Sequence, residues 1–173
     1  MKLSYKDELD KCYGATGMAI GIVVLDGEDM IYGVNLDAEP LDVVEYTEDF
    51  YFSGNPSVSA KVSWNKMLQN FNISMGATIA NVLCRSLLLE HAVPPKNIHD
   101  ELRSLAVSEG TDTCALEADE IEHIFDKNYS YLTRIFSHRG VQSVANDFAT
   151  ALQASRRLSR LEVLEHLRAL SML

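Results

Sequence analysis

Two short apolar runs, Met18–Leu25 and Met30–Leu36, lie close together near the start of the chain. Both are rich in β-branched residues, and residues 26–29 between them have the composition of a tight turn. The pattern predicts an antiparallel hairpin in which Leu25 faces Met30. Both faces of this hairpin would be apolar, whereas a hairpin with one face in water alternates apolar and polar residues. We therefore expect other elements to cover both faces.

Weaker signals lie on either side of the predicted hairpin. Residues 42–46 and 49–53 could add further strands before the turn residues 53–56. Ahead of the hairpin, Ser4 and Asp7 have the spacing of a capping pattern, which predicts a short helix ending near Cys12.

From about residue 57 the apolar residues recur with the spacing of a helix. A first helical segment around Trp64–Phe71 contains Asn70 and is followed by Asn72, and the two asparagines favour a break before Ser74. The next segment, Ser74 to about His91, is apolar around almost its whole circumference, which is typical of a central buried helix. Further helices are predicted at about 97–109, 116–137, 141–155 and from Ser159 onward, the last opening with a Ser159–Glu162 capping box.

These elements predict a single α+β domain over residues 1–173. An N-terminal antiparallel β-hairpin or small meander (residues 1–56) would pack on a predominantly helical C-terminal part of about five helices (residues 57–173). A chain of 173 residues with 47% hydrophobic residues is large enough to bury a core of its own.

Charge is distributed unevenly along this chain. From Cys12 to Ala60, here called the acidic segment, there are nine carboxylates and no Lys, Arg or His, within a total net charge of −10. Such asymmetry produces a negative field that attracts basic partners, and a basic protein is therefore a possible partner. The same deficit of Lys and Arg argues against nucleic-acid binding, which depends on cations at the phosphates.

Several other classes of protein are disfavoured. The charged N-terminus does not resemble a secretory signal, and no apolar run reaches the roughly 20 residues of a membrane helix. The three cysteines, at positions 12, 84 and 114, show neither a metal-binding spacing nor a disulfide pattern. We expect a reduced, cytoplasmic protein with no cofactor and no resident metal. None of the common nucleotide-binding or nucleophile motifs is present.

The strongest candidate site is a polar strip on the central helix, formed by Thr78, Asn81 and Arg85. An Arg beside Asn and Thr could hold an anion or a carboxylate in a pocket. The alternatives are that the strip is the solvent edge of the helix, or that Arg85 pairs with a carboxylate of the acidic segment.

Other pairs are weaker candidates. Glu120 and His123 have the i, i+3 spacing of some metal-binding helices, but they lie opposite the apolar stripe of their helix and are predicted to be exposed and metal-free. Glu162 with His166, and the histidines at 91 and 99 with their acidic neighbours, are expected to be ordinary surface residues. Cys84 is expected to be an inert core thiol.

The sequence favours a non-catalytic protein–protein interaction or regulatory module. The alternative is a small enzyme or ligand-binding protein with an anion-holding pocket between sheet and central helix, using a carboxylate of the acidic segment as a base. Self-association as a homodimer is predicted because both hairpin faces and the C-terminal helix carry more apolar surface than one domain usually buries. The apolar residues of that helix are Leu161, Val163, Leu164, Leu167, Leu170, Met172 and Leu173.

Overall fold

The computed structural model describes residues 4–40, 42–51 and 60–172. It is a mixed α+β fold, about 77% helical, with seven helices and one three-stranded antiparallel sheet in the part described. The helices are α1 Glu8–Val24, α2 Glu48–Tyr51, α3 Ala60–Cys84, α4 Lys96–Cys114, α5 Ala118–Ser137, α6 Arg139–Ser155 and α7 Arg160–Leu167. The strands are β1 Ile31–Asn35, β2 Val44–Tyr46 and β3 Arg157–Ser159.

The first apolar run belongs to helix α1, so the predicted hairpin is wrong. Helix α1 begins after Asp7, whose side chain accepts a hydrogen bond from the Asp10 amide, and continues through Met18 to Val24. Residues 14–22 of this helix are all buried. A helix that is buried on every side shows no amphipathic period, and its apolar run resembles that of a buried strand.

Helices α1 and α3 pack closely because small residues lie between them. An added Cβ at Gly17 would lie 2.4 Å from the carbonyl oxygen of Ala80, and one at Gly21 would lie 2.5 Å from the Ala80 side chain. Both distances are shorter than van der Waals contact. The glycines therefore let the two backbones approach, which compensates for the low helix propensity of glycine.

Helix α3 is continuous across the predicted break and ends in one π-helical turn, Arg85–Leu89. The two asparagines that favoured a break have side-chain partners on other elements. The Asn70 amide donates to the Phe50 carbonyl at 2.6 Å, and the Asn128 amide of α5 donates to Asn72 at 2.8 Å. Tertiary hydrogen bonds thus outweigh the weak local preference against the helix.

The second apolar run does form a strand, but with different partners. β1 lies in the centre of the sheet, in the order β2-β1-β3, and pairs with the predicted region 42–46 through β2. β3 comes from far along the chain and aligns Leu158 with Val34. Strands are therefore not confined to the N-terminal part. Residues 49–51 belong to helix α2, not to a strand, and residues 52–56 lie outside the described residues.

The arginines that adjoin β3 pair with the acidic segment. Arg156 bonds both Asp37 and Glu8, Arg157 bonds Glu45 at 2.8 Å, and Arg160 bonds Asp29 at 2.9 Å. Each pair joins residues more than 100 positions apart. The charge asymmetry of the sequence is therefore partly neutralised in the folded protein.

The helices predicted after residue 96 hold in kind, with shifted ends, but the described residues form seven helices rather than about five. Helix α4 passes through Gly110 and ends at Cys114, followed by Ala115 in the left-handed region, φ 49°. Helix α5 is capped by Glu117 and Glu120, and the predicted Ser159–Glu162 capping box opens α7.

Residues Lys61–Leu89 are long and apolar enough to cross a membrane by length and composition, and no other described helix is. However, 67% of the apolar window in this segment is buried inside the protein. Such burial is typical of the core helix of a globular fold.

The apolar surfaces behind the predicted homodimer are mostly covered within the chain. Helix α1 is enclosed by other elements, chiefly α3 and α6. In α7, Val163 and Leu167 are buried, and only Leu161 remains largely exposed, at 76%. The side chains of Met172 and Leu173 lie outside the described residues. These surfaces no longer argue for a dimer, and self-association stays a prediction.

Candidate functional site

Arg85 of the predicted polar strip forms a two-pronged ion pair with Asp10. Its Nε lies 2.6 Å from one Asp10 oxygen and its Nη2 lies 2.5 Å from the other. Nη2 also donates to the Ser4 carbonyl, and Nη1 donates to Asn81 at 3.3 Å. The guanidinium lies over the Tyr5 ring, with 4.8 Å to the ring centroid.

This network ties the start of α1 to the end of α3. Asp10 is 2% exposed, and Asn81 is fully buried and donates to the Tyr5 hydroxyl at 2.9 Å. Burial alone would raise the pKa of Asp10, but the bonds from Arg85 and the Lys6 amide outweigh it and hold that pKa below its usual value. Arg85 thus has a carboxylate partner within the protein, one that lies just before the acidic segment.

Thr78 lies apart from this network. Its hydroxyl donates to the Ser74 carbonyl, and its side chain lines a narrow crevice against α4 together with Glu109. The structure therefore brings Asn81 and Arg85 together but not Thr78. Because the Arg85 fork is engaged by Asp10, an external anion would have to displace an internal carboxylate. Ligand binding at these three residues stays a prediction.

The weaker candidates are in surface positions. Glu120 and His123 are exposed, as predicted, and the Glu120 carboxylate caps α5 by accepting from the Glu117 amide. Glu162 caps α7 in the same way, at 2.8 Å from the Ser159 amide, while His166 is exposed. No group of three or more His, Cys, Asp or Glu side chains in the described ranges has the geometry to hold a metal ion.

His99 and His91 lie in different environments. His99 is half-buried, and its ring packs edge-on against Phe125 and Tyr129, with centroids 5.4 and 4.6 Å away. His91 is exposed with φ 52°, in the turn after α3. The neighbour of His91, Glu90, forms an ion pair with Lys6.

The three cysteines are buried free thiols, which agrees with the prediction for Cys84. Burial raises the pKa of Cys12 to about 11 and raises that of Cys84 still further. Since the thiolate is the reactive form, neither side chain has the properties of a nucleophile.

A cleft lies on the outer face of the sheet, around Gly33 of β1. Its volume is about 610 Å³, and it is bounded by the exposed side chains Tyr32 and Leu161, the Glu45–Arg157 ion pair and the start of α7. An added Cβ at Gly33 would lie 3.0 Å from the Leu158 carbonyl oxygen of β3 and 3.4 Å from the Glu45 carboxylate. The glycine thus permits the close approach of the β3 backbone, and Gly33, Leu158 and Ser159 line the cleft together.

A second cavity, of about 220 Å³, lies between α2, α3 and α4. It is lined by the apolar rings of Phe50 and Phe71 and by the half-buried carboxylate of Glu109, which accepts a hydrogen bond from the Ser74 hydroxyl at 3.3 Å. Burial raises the pKa of Glu109, and the Ser74 bond offsets only part of this effect. We call this space the Glu109 cavity.

The sequence contained signals for both places. Gly33 interrupts a strand pattern, which is typical of a bulge or a close backbone approach. Glu109 falls on the apolar stripe of α4, between Ala106 and Gly110, which are both buried. The sequence pattern ends the predicted helix at about residue 109, which places Glu109 at a helix end instead of on a buried stripe.

Comparison with known proteins gives no assignment. No family model matches the chain, and no curated protein or solved structure is significantly similar to it. The cleft and the cavity themselves therefore provide the evidence on function.

Proposed function

We propose that this protein is a non-catalytic interaction module that binds a basic segment of a partner protein through the cleft on the outer face of its sheet. The observation that carries the proposal is a cleft around Gly33 in which exposed Tyr32 and Leu161 lie among charged side chains, those of Glu45, Arg157, Arg160 and Glu162. Beyond the two ends of β1 lie exposed carboxylates that form no ion pair in the described residues. The buried free thiols agree with a reducing compartment, and we include the cytoplasm in the proposal.

The cleft offers apolar anchoring. Tyr32 is 62% exposed and Leu161 is 76% exposed, and they are among the few large apolar side chains of the described residues that lie so open. Both border the same cleft. A partner that covered them would bury apolar area at the centre of the contact, where binding free energy concentrates.

The surroundings of the cleft supply the charge. The turn before β1 presents Asp26 and Glu28, and the β1–β2 connection presents Glu39 and Asp42, all four exposed. Within the described residues none of the four makes an ion pair, whereas Asp29, Asp37 and Glu45 each pair with an arginine. A basic partner would neutralise them, which favours fast association and the correct orientation.

A second copy of this chain fits the cleft less well. Each copy carries a net charge of −10, so the carboxylates at the two ends of the sheet would repel each other across a symmetric interface. Self-association is accordingly an outcome that the test must exclude.

The test uses a short fluorescent peptide of alternating Lys and Leu, which as a strand presents one apolar and one basic face. We expect saturable binding that weakens with added salt. A Leu161→Ser variant should bind about 10-fold more weakly, as expected for the loss of one buried leucine contact. Val93→Ser is the matched control, because Val93 is 77% exposed and does not line the cleft.

Three results would contradict the proposal. One is equal binding by Leu161→Ser and Val93→Ser, and another is equal binding of a Glu–Leu peptide of the same length. The third is a mass in light scattering that exceeds 19.3 kDa at micromolar concentration and returns to it in Leu161→Ser, which would assign the cleft to a second copy.

A further inference from the structure

The Glu109 cavity has the polarity of a cation site. Glu109 contributes a carboxylate, and in the described part of the chain it forms no ion pair with Lys, Arg or His. A half-buried carboxylate in this position destabilises the fold unless something else compensates it.

The hydrogen-bond donors around the cavity are already engaged. The Ser74 hydroxyl donates to Glu109, and the Thr113 hydroxyl donates to the Glu109 carbonyl at 2.7 Å. The Asn70 amide donates to the Phe50 carbonyl. The group that remains to bind a ligand is the Glu109 carboxylate, since Asn70 Oδ1, which has no hydrogen-bond partner in the described residues, is fully buried. Such a lining calls for a ligand that donates hydrogen bonds.

The opposite wall is apolar and aromatic. Phe50 and the buried Phe71 line the cavity, and Phe50 stacks on Tyr46 with ring centroids 4.0 Å apart. Aromatic faces attract both hydrocarbon groups and cations. The volume of about 220 Å³ is below the usual range of drug-sized pockets, so the occupant must be small.

We infer that the Glu109 cavity binds a small primary ammonium ion that carries a short apolar group. The ammonium donates to the Glu109 carboxylate, and the apolar group lies against Phe50 and Phe71. This site would bind a cation, whereas the pocket expected from the sequence at Thr78, Asn81 and Arg85 would bind an anion. This inference is independent of the proposed docking cleft, since the two places share no lining residue.

The test uses phenethylammonium as the probe and isothermal titration calorimetry of the full chain. We expect Kd in the millimolar range, and at least about 10-fold weaker binding to Glu109→Gln, which loses one charge-assisted hydrogen bond at nearly constant volume. Glu101→Gln is the matched control, because Glu101 is an exposed carboxylate of the same helix and its loss changes the net charge equally.

The pH dependence provides a second measurement. Glu109 is the only titratable side chain lining the cavity in the described residues, and burial keeps nearby Tyr46 neutral by raising its pKa. Binding to the native protein should therefore strengthen as the pH rises through the raised pKa of Glu109, while the amine remains charged. Binding to Glu109→Gln should not change over the same range.

Three outcomes would overturn the inference. The first is that phenethylammonium gives no saturable heat, and the second is that Glu101→Gln weakens its binding as much as Glu109→Gln does. The third is that 3-phenylpropionate, an anion of similar shape, binds with the same affinity as phenethylammonium. A thermal melt of each variant establishes that it is folded, so a loss of binding in folded Glu109→Gln is attributable to the carboxylate.

Discussion

Asp10 and Glu109 are two carboxylates whose pKa values shift in opposite directions. Both are shielded from water, which by itself raises a carboxyl pKa. Asp10 is held by the Arg85 guanidinium, and this contact reverses the sign of the shift, whereas Glu109 has only the Ser74 hydroxyl. Ionised Asp10 therefore stabilises the fold, and ionised Glu109 destabilises it.

Replacing Asp10 with Asn should lower the free energy of unfolding by about 2 to 3 kcal/mol at neutral pH. The change leaves the Arg85 charge without its anion. The expected loss is at the low end of the range for breaking a buried ion pair, because the Arg85 side chain is 15% exposed. Since the folded-state pKa of Asp10 is lowered, its contribution is present above the unfolded pKa and is lost as the pH falls through the folded one. Urea unfolding at about pH 7 and about pH 3 measures both effects.

The control for this experiment is Asp147→Asn, which removes an exposed carboxylate on α6 that makes no ion pair in the described structure. An equal loss of stability in Asp10→Asn and Asp147→Asn would mean that the Arg85 contact does not contribute.

Replacing Glu109 with Gln should stabilise the protein at neutral pH. The folded-state pKa of Glu109 is raised. Its contribution to the stability of the folded protein is therefore greatest below the unfolded-state pKa and is lost as the pH rises through the folded-state pKa. Gln cannot ionise and avoids this loss. The Tm difference between variant and native protein should therefore be small at low pH and positive near pH 7. A negative difference at neutral pH contradicts this expectation.

Among the elements, α1 shows most clearly where prediction from sequence ends. The strand at 31–35, its partner near 44–46, the capping box of α7 and the amphipathic helices follow from local patterns. In α1 the deciding evidence is the fit of Gly17 and Gly21 against α3, which is a tertiary property. The third strand is equally non-local, because Arg157–Ser159 is only three residues long and becomes a strand by pairing with β1.

The same limit applies to the candidate site. Pairing of Arg85 with a carboxylate was one alternative that the sequence left open, but the partner is Asp10 of α1, which lies outside the acidic segment and which periodicity alone could not identify. Thr78 shares a strip with Arg85 on a helical wheel. In the folded protein, Arg85 lies against α1 and Thr78 lies against α4, so the two side chains are in different environments.

Substitution of Gly17 by Val should cost about 3 kcal/mol or prevent folding. The Cβ alone would overlap the Ala80 carbonyl, and a rigid backbone group cannot move aside as a flexible side chain can. Gly140→Val, in the first turn of α6 and away from the α1–α3 contact, is the control. Chemical unfolding of both variants measures the difference, and equal losses would argue against close packing at Gly17.

At the scale of the whole molecule, acidic side chains outnumber basic ones, 25 to 15. The arginines at 156, 157 and 160 neutralise part of the acidic segment, yet exposed carboxylates such as Glu48 and Asp49 form no ion pair in the described ranges. A net charge of −10 on a protein of 19.3 kDa repels itself in the compact state.

Moderate salt should therefore raise the Tm. Screening weakens the repulsion among the unpaired carboxylates, and the exposed arginine pairs that it also weakens contribute little stability each. Differential scanning calorimetry from low salt to about 0.15 M NaCl, where the Debye length is about 8 Å, measures the effect. A Tm that falls with salt would mean that the arginine pairs outweigh the repulsion.

The long path between β1 and β3 also imposes an order in time. Val34 meets Leu158 only after more than 100 intervening residues have been synthesised and brought back, whereas α3, α4 and α5 adjoin their neighbours in sequence. Closing so large a loop is entropically costly, so contacts of this kind form late. Pulse-labelling hydrogen exchange during refolding should find the β1 amides protected after those of α3. Until then the carboxylates around β1 lack their arginines, and the growing chain presents its most negative surface to the ribosome and the chaperones first.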